Sequence, residues 1–167
     1  RRILEQGHAV GNHTDHHVNG WKCPTTQYLQ EVATCDQRLP ETRLFRPPYG
    51  RISRKQISNL GHRTIVMWDV LTHDYNNALS PSRCLAGTLK AVRPGSIVVF
   101  HDSLKAARNM ETVLPAFITE VSTGVTYSGR SKCSAGPMAQ SKSVLICVMD
   151  WGLGHATRSL LLIRELI

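Results

Sequence analysis

Gly11-Asn12-His13-Thr14-Asp15-His16-His17-Val18-Asn19-Gly20-Trp21 places three histidines within five residues, beside hydroxyl and carboxylate side chains. His13 and His17 are spaced i,i+4, so on a helical turn they share one face. His13 and His16, at i,i+3, would share one as well, and spacing alone does not choose the pair. Two neutral imidazoles on one face, joined by a carboxylate from elsewhere, make a three-ligand metal site with a position left for water. The plainer alternative is a polar turn with solvated histidines. The rest of the chain decides between them.

Upstream, Arg1-Arg2-Ile3-Leu4-Glu5-Gln6-Gly7 reads as the end of a helix stopped by glycine, and Val10 ends a short strand or loop. The chain is therefore expected to begin inside a domain. Downstream, Pro24-Thr25-Thr26 opens a helix with Thr25 or Thr26 as N-cap. Tyr28, Leu29, Val32, Cys35 and Leu39 form its apolar stripe, and Pro40 ends it. After Leu44-Phe45 comes Arg46-Pro47-Pro48-Tyr49-Gly50. Two prolines remove two N–H donors and fix φ, so this is a rigid loop presenting Arg46 and Tyr49 in a set geometry. A helix over Ser53 to Leu60, closed by Gly61, leads to the apolar run Thr64 to Leu71, which predicts one buried parallel strand. Polar residues Thr72 to Asn77 follow, then a helix from Ser80 to Val92. Ser96 to Phe100 predicts a second buried strand, delivering His101-Asp102-Ser103 at its end, and Ala106 to Val121 predicts a closing helix.

The repeat of strand, polar loop and helix indicates a parallel α/β architecture, in which chemistry gathers at the C-terminal ends of strands. Asp74 and His101 fall at or just past such ends, and the histidine turn and the Arg46 loop follow other strand positions. Four polar clusters are thus expected on one rim.

Composition narrows the function classes. The 167 residues allow one domain with a sizeable core. No apolar run is long enough to span a membrane, and no secretory signal pattern opens the chain. The formal charge is +8, but Lys and Arg are scattered without a basic stripe or an aromatic-interleaved run, so nucleic-acid binding is not indicated. Five cysteines at wide spacing, with no CxxC, indicate free thiols rather than a zinc ribbon or disulfide framework.

Taken in order, four segments resemble the motifs of the polysaccharide deacetylase family, the NodB-like carbohydrate esterases. His13-Thr14-Asp15-His16-His17 resembles H-[ST]-x-x-H, and Arg46-Pro47-Pro48-Tyr49-Gly50 resembles R-P-P-[YF]-G. Trp68 to Tyr75 resembles the strand ending in a D-W pair, here Asp74-Tyr75. Gly95 to Asp102 resembles the closing G-x-I-[VIL]-[VIL]-x-H-D. The resemblance covers about residues 1–121 and implies a partial distorted (β/α) barrel. It also implies removal of N- or O-acetyl groups from chitin oligomers, peptidoglycan or xylan, with a divalent metal, commonly zinc. It selects His13 and His17 as metal ligands, with Thr14 bracing their loop. It implies that Arg46 orients a base carboxylate, that the Tyr49 backbone N–H helps hold the oxyanion, and that Asp74 lies beside the general acid His101. Asp102 and Trp68 would be supporting residues. Polymer substrates favour a place outside the cytoplasm.

The family's first motif, a T-F-D-D-G-like strand end supplying the base and the third metal ligand, has no counterpart here. Asp15, Asp36, Asp69 and Asp74 are poor substitutes by position. The expectation is an N-terminally truncated domain that binds metal weakly and has little activity alone. Tyr75 stands where the family has Trp, and Leu71 where an extra Asp often sits.

Ser122 to Pro137 shifts to Ser, Gly, Thr and Lys and reads as a linker. Residues 138–167 restart the pattern, with a strand over Val144 to Met149, the turn Asp150-Trp151-Gly152-Leu153-Gly154-His155, and a helix over Ser159 to Ile167. This resembles the opening strand-turn-helix unit of a nucleotide-sugar glycosyltransferase. A βα unit completing the barrel is the alternative, and Met138 also fits a frame joining two adjacent genes. Three functions stay open on sequence alone: a deacetylase, a carbohydrate-binding remnant without catalysis, and a donor-binding fragment.

Overall fold

The computed structural model of the protein describes residues 2–123, 144–150 and 160–166. Helix α1 (Arg2–Glu5) ends at Gly7, whose φ of +79° only glycine adopts cheaply. Strand β1 (Ala9–Asn12) follows and runs into the histidine turn. Helix α2 (Thr25–Asp36) buries Tyr28, Val32 and Cys35, three members of the expected stripe. Its N-cap is Pro24 rather than a threonine, without a side-chain cap. Strand β2 (Leu44–Phe45) leads into the proline loop, which closes as a short 3₁₀ turn at Pro48–Gly50. Helix α3 (Arg54–Ser58) has a full capping box between Ser53 and Gln56.

The apolar run Thr64 to Leu71 is not one strand. It divides into β3 (Thr64–Ile65) and β4 (Val70–Leu71). The residues between them are engaged elsewhere. Arg46 Nε and Nη2 donate to the carbonyls of Val66 and Met67 at 2.8 and 3.3 Å, and Asp69 Oδ1 accepts from Ile97 N–H at 2.7 Å. Those contacts replace a continuous ladder. Helix α4 (Pro81–Ala91), capped by Ser80, precedes strand β5 (Ile97–Asp102), and helix α5 (Leu104–Ser122), capped by Ser103, follows it.

Strand β6 (Val144–Asp150) lies where the sequence places it. The residues expected as a helix from Ser159 form strand β7 (Leu160–Leu166) instead, antiparallel to both β6 and β1. A short apolar run does not distinguish a buried helix from a buried strand by period. Here the backbone groups of β1 and β6 supply partners on both sides, and pairing wins. The strand-turn-helix unit behind the glycosyltransferase resemblance is therefore not borne out. Most of the expected linker lies outside the described residues.

The sheet has seven strands in the order β3-β2-β1-β7-β6-β5-β4. All its pairs are parallel except those made by β7. Its two edge strands, β3 and β4, are consecutive in sequence. Ile65 and Val70 are five residues apart, which spans at most about 18 Å. Seven flat strands would separate the edges by about 29 Å. The sheet must curl, and the result is an open, distorted barrel with helices outside it.

Alternation along β5 separates inside from outside. Val98 and Phe100 pack outward with Val70, Cys84, Val92, Val113 and Phe117 against α4 and α5. Val99 packs inward with Val66, Trp68, Leu71 and Ile97. Tyr28, Val32, Phe45 and Leu60 form a second outer cluster under α2 and α3. Phe117 is fully buried, its ring 5.8 Å from that of Phe100. Phe117→Ala is expected to cost about 3–5 kcal/mol in urea unfolding, with an unchanged m-value. A loss below about 1 kcal/mol would mean that α5 is not part of this core.

Candidate active site

The histidine turn is a loop, not a helical turn. After β1 the chain reverses through Thr14 and His17, at φ of 63° and 53°. This brings the His13 and His17 rings to 4.9 Å, edge to face, so the two expected ligands do meet, by a different route. Asn12 supports the loop from below. Its Oδ1 accepts from Thr14 N–H at 2.9 Å, and its Nδ2 donates to Val32 O at 2.8 Å and Asp36 Oδ1 at 2.7 Å. Thr14 Oγ1 accepts from Val18 N–H at 3.3 Å, the bracing role expected of it. His16 points away, exposed and bonded to Glu31.

His13 is fully buried, and its Nδ1 lies 2.6 Å from Arg46 O. A carbonyl only accepts, so Nδ1 carries the proton and the lone pair sits on Nε2. That Nε2 is buried, with no hydrogen-bond partner among the described residues. A lone pair of this kind, on an imidazole fixed through its other nitrogen, suits a metal ion. Burial first, then the neighbouring charge of His17, holds the His13 pKa down to about 3 against the opposing bond to Arg46. Burial, then the charge of His101, brings His17 to about 4. Both imidazoles are neutral at pH 7, the form that binds metal.

Arg46 is fully buried at the end of β2, its guanidinium on the Val66 and Met67 carbonyls and 5.5 Å from the Trp68 ring. Tyr49 follows at φ 58°, with its ring 4.6 Å from that of His17. Across the rim, His101 and Asp74 form a buried pair. His101 Nδ1 lies 2.6 Å from Asp74 Oδ1, and His101 N–H donates to Asp74 Oδ2 at 2.7 Å. Tyr75 packs its ring edge-on to His101 at 4.9 Å. The Asp74 loop is held by Thr72, which donates to Val99 O, and by Asn109, which donates to Asp74 O at 3.0 Å. Asn12 and Asn109 carry no recognisable motif, and only their burial marks them.

Three other aspartates of this region are engaged elsewhere. Asp15 binds Arg38 at 2.6 Å, Asp36 pairs with Arg63, and Asp69 accepts from Ser96 and Ile97. Among the described residues, no group of three or more His, Cys, Asp and Glu is arranged to hold a metal. Cys23, Cys35 and Cys84 are free thiols, and burial pushes Cys35 and Cys84 up to about 11. No described helix is long and apolar enough to cross a membrane.

Residues 1–65 match the polysaccharide deacetylase family model. A chitooligosaccharide deacetylase of Bradyrhizobium sp. (strain ANU 289) is 32% identical over 112 residues, 61% of this chain and 50% of the relative. Over this stretch the chain is similar to polysaccharide deacetylases. The peptidoglycan-N-acetylglucosamine deacetylase PgdA of Listeria monocytogenes serotype 1/2a (strain 10403S) is also 32% identical, over 68% of this chain and 25% of the relative. The chain thus spans half or less of the length of these deacetylases. A solved peptidoglycan N-acetylglucosamine deacetylase, in complex with an N-hydroxybenzamide compound, superposes with a TM-score of 0.61 at 26% identity, over 72% of this chain and 61% of that one. A family 4 carbohydrate esterase pseudoenzyme from Bacillus anthracis shares the fold, with a TM-score of 0.59 at 21% identity, over 71% of this chain and 44% of that one.

Two substitutions probe this rim without any ligand. Asp74→Ala leaves two buried His101 donors unsatisfied, so a loss of about 2–5 kcal/mol in urea unfolding is expected. His73, exposed at φ 58°, carries left-handed strain beside the same loop. His73→Gly is expected to raise stability by about 1 kcal/mol, and a fall in Tm would show that the residue is not strained there.

Proposed function

We propose that this chain is part of a metal-dependent carbohydrate deacetylase, hydrolysing N- or O-acetyl groups on a glycan polymer. The observation that carries the proposal is the buried, neutral His13–His17 pair, with the His13 Nε2 lone pair presented and the His101–Asp74 pair close enough to influence both. The curated relatives named as chitooligosaccharide and peptidoglycan-N-acetylglucosamine deacetylases favour an N-acetylated amino sugar as the acetyl carrier.

His13 and His17 would hold a divalent ion, and their imidazole nitrogens suit zinc. When bound, such an ion polarises the acetyl carbonyl and lowers the pKa of water. The proposal calls for two further carboxylates, one as the third ligand and one as the base. Arg46 would orient the base carboxylate. The Tyr49 backbone N–H would donate to the oxyanion, and its main chain is already fixed by the proline loop. His101 would hand a proton to the departing nitrogen. Asp74 holds the imidazole ring in place through the 2.6 Å contact at Nδ1.

Calorimetric titration of the whole chain with zinc tests this site. Binding by the wild type that disappears in His13→Ala/His17→Ala is expected. Identical titrations for the two proteins would remove the histidine turn from the metal site.

A further inference from the structure

Trp21 is 67% exposed, more than any other large aromatic side chain among the described residues. Isolated exposed apolar residues are ordinary. This one is held in place from three sides. Its Nε1–H donates to Ile52 O at 3.3 Å, and its backbone N–H donates to Asn19 Oδ1 at 3.0 Å. The Arg51 guanidinium lies over its ring at 5.0 Å. The short turn that carries it is clamped to the proline loop, with Gly20 N–H donating to Arg51 O at 3.2 Å and Gln56 Nε2 donating to Gly20 O at 2.8 Å. A Cβ at Gly20 would lie 2.4 Å from Arg51 O, so this approach needs glycine.

The indole is thus oriented before any ligand arrives, which lowers the ordering cost of binding. It lies next to the proposed site. Trp21 follows His17 by four residues, at most about 14 Å of chain. Arg51 follows Tyr49 by two, and the Tyr49 ring touches that of His17. A pyranose ring suits this pair of side chains. Its C–H face packs on an indole, and its hydroxyl edge accepts from guanidinium N–H groups.

We propose that Trp21 and Arg51 form a sugar-stacking subsite that holds the glycan beside the unit being deacetylated, and that this subsite sets a preference for longer oligomers. The proposal rests on the deacetylase function argued above. The test is calorimetric titration of the full chain with N-acetylglucosamine and its hexamer, for the wild type, Trp21→Ala and Trp21→Phe, with zinc titration of each protein alongside. The wild type should bind the hexamer more tightly than the monomer. Trp21→Ala should lose about tenfold of the hexamer affinity, since tryptophan anchors carry a large share of binding energy where they are buried by a ligand. Trp21→Phe should retain most of it, and zinc binding should not change in either variant. Equal length dependence in wild type and Trp21→Ala overturns the subsite, as does a wild type that binds no glycan. Concentration-dependent self-association in sedimentation, abolished by Trp21→Ala, would assign the surface to a second copy and also overturn it. Failure of the deacetylase function shows separately, as zinc binding that ignores His13 and His17.

Discussion

One buried residue, Arg46, ties the parts of this rim together. Its backbone N–H donates to Asn12 O at 2.9 Å, and its carbonyl receives the His13 ring proton. Its guanidinium reaches the carbonyls of Val66 and Met67 and lies near Trp68. Through these contacts β1, β2 and the β3–β4 connection are held in a fixed relation. Burying a guanidinium costs several kcal/mol unless its donors are met. The positions of those carbonyls are therefore as much a requirement as the charge. The same requirement interrupts the apolar run from Thr64 to Leu71. Carbonyls that bind Arg46 are withdrawn from the ladder, and the chain leaves β3 at one edge of the sheet to enter β4 at the other.

Strain is concentrated on the same rim. Among the described residues, the non-glycine residues with positive φ are Thr14, His17, Tyr49 and His73, and each lies in a loop that carries a candidate site residue or adjoins one. Left-handed backbone costs about 1–2 kcal/mol per residue and persists only where surroundings impose it. Asn12 Oδ1 holds the Thr14 N–H, and backbone bonds from Gly50 N–H to Pro47 O and from Arg51 N–H to Pro48 O close the turn around Tyr49. The turn that places His13 against His17 thus depends on packing beneath it. The neutrality of both rings has the same origin, since burial is the first cause of each depressed pKa.

The central strands of the sheet come from both ends of the described chain. β1 pairs with β2 on one side and β7 on the other, and β6 joins β7 to β5. Neither β1 nor β5 is left with an open edge, and the ends of β1 and β5, with their histidines, are brought round onto one curled sheet. An open barrel of this kind can present His13, Arg46, Asp74 and His101 together although they are spread over nearly ninety residues of sequence.

The sequence by itself determined helices α1 to α5 and marked the candidate rim residues. Starts such as Ser53 and Ser80, stops such as Gly7 and Gly61, and apolar spacing along α2 act within a few residues, so local pattern suffices to read them. The ordered His13, Arg46, Asp74 and His101 segments were legible for a similar reason, because their chemistry and spacing are local. Tertiary structure alone decided that His13 and His17 meet through a strained loop, and that Thr64 to Leu71 divides. It alone decided that Leu160 to Leu166 pairs as a strand, and that Asn12 and Asn109 support the site. Each of these outcomes is set by hydrogen-bond partners distant in sequence. An apolar run takes whichever partners its neighbours offer, and a buried amide becomes important only when the fold places unsatisfied groups beside it.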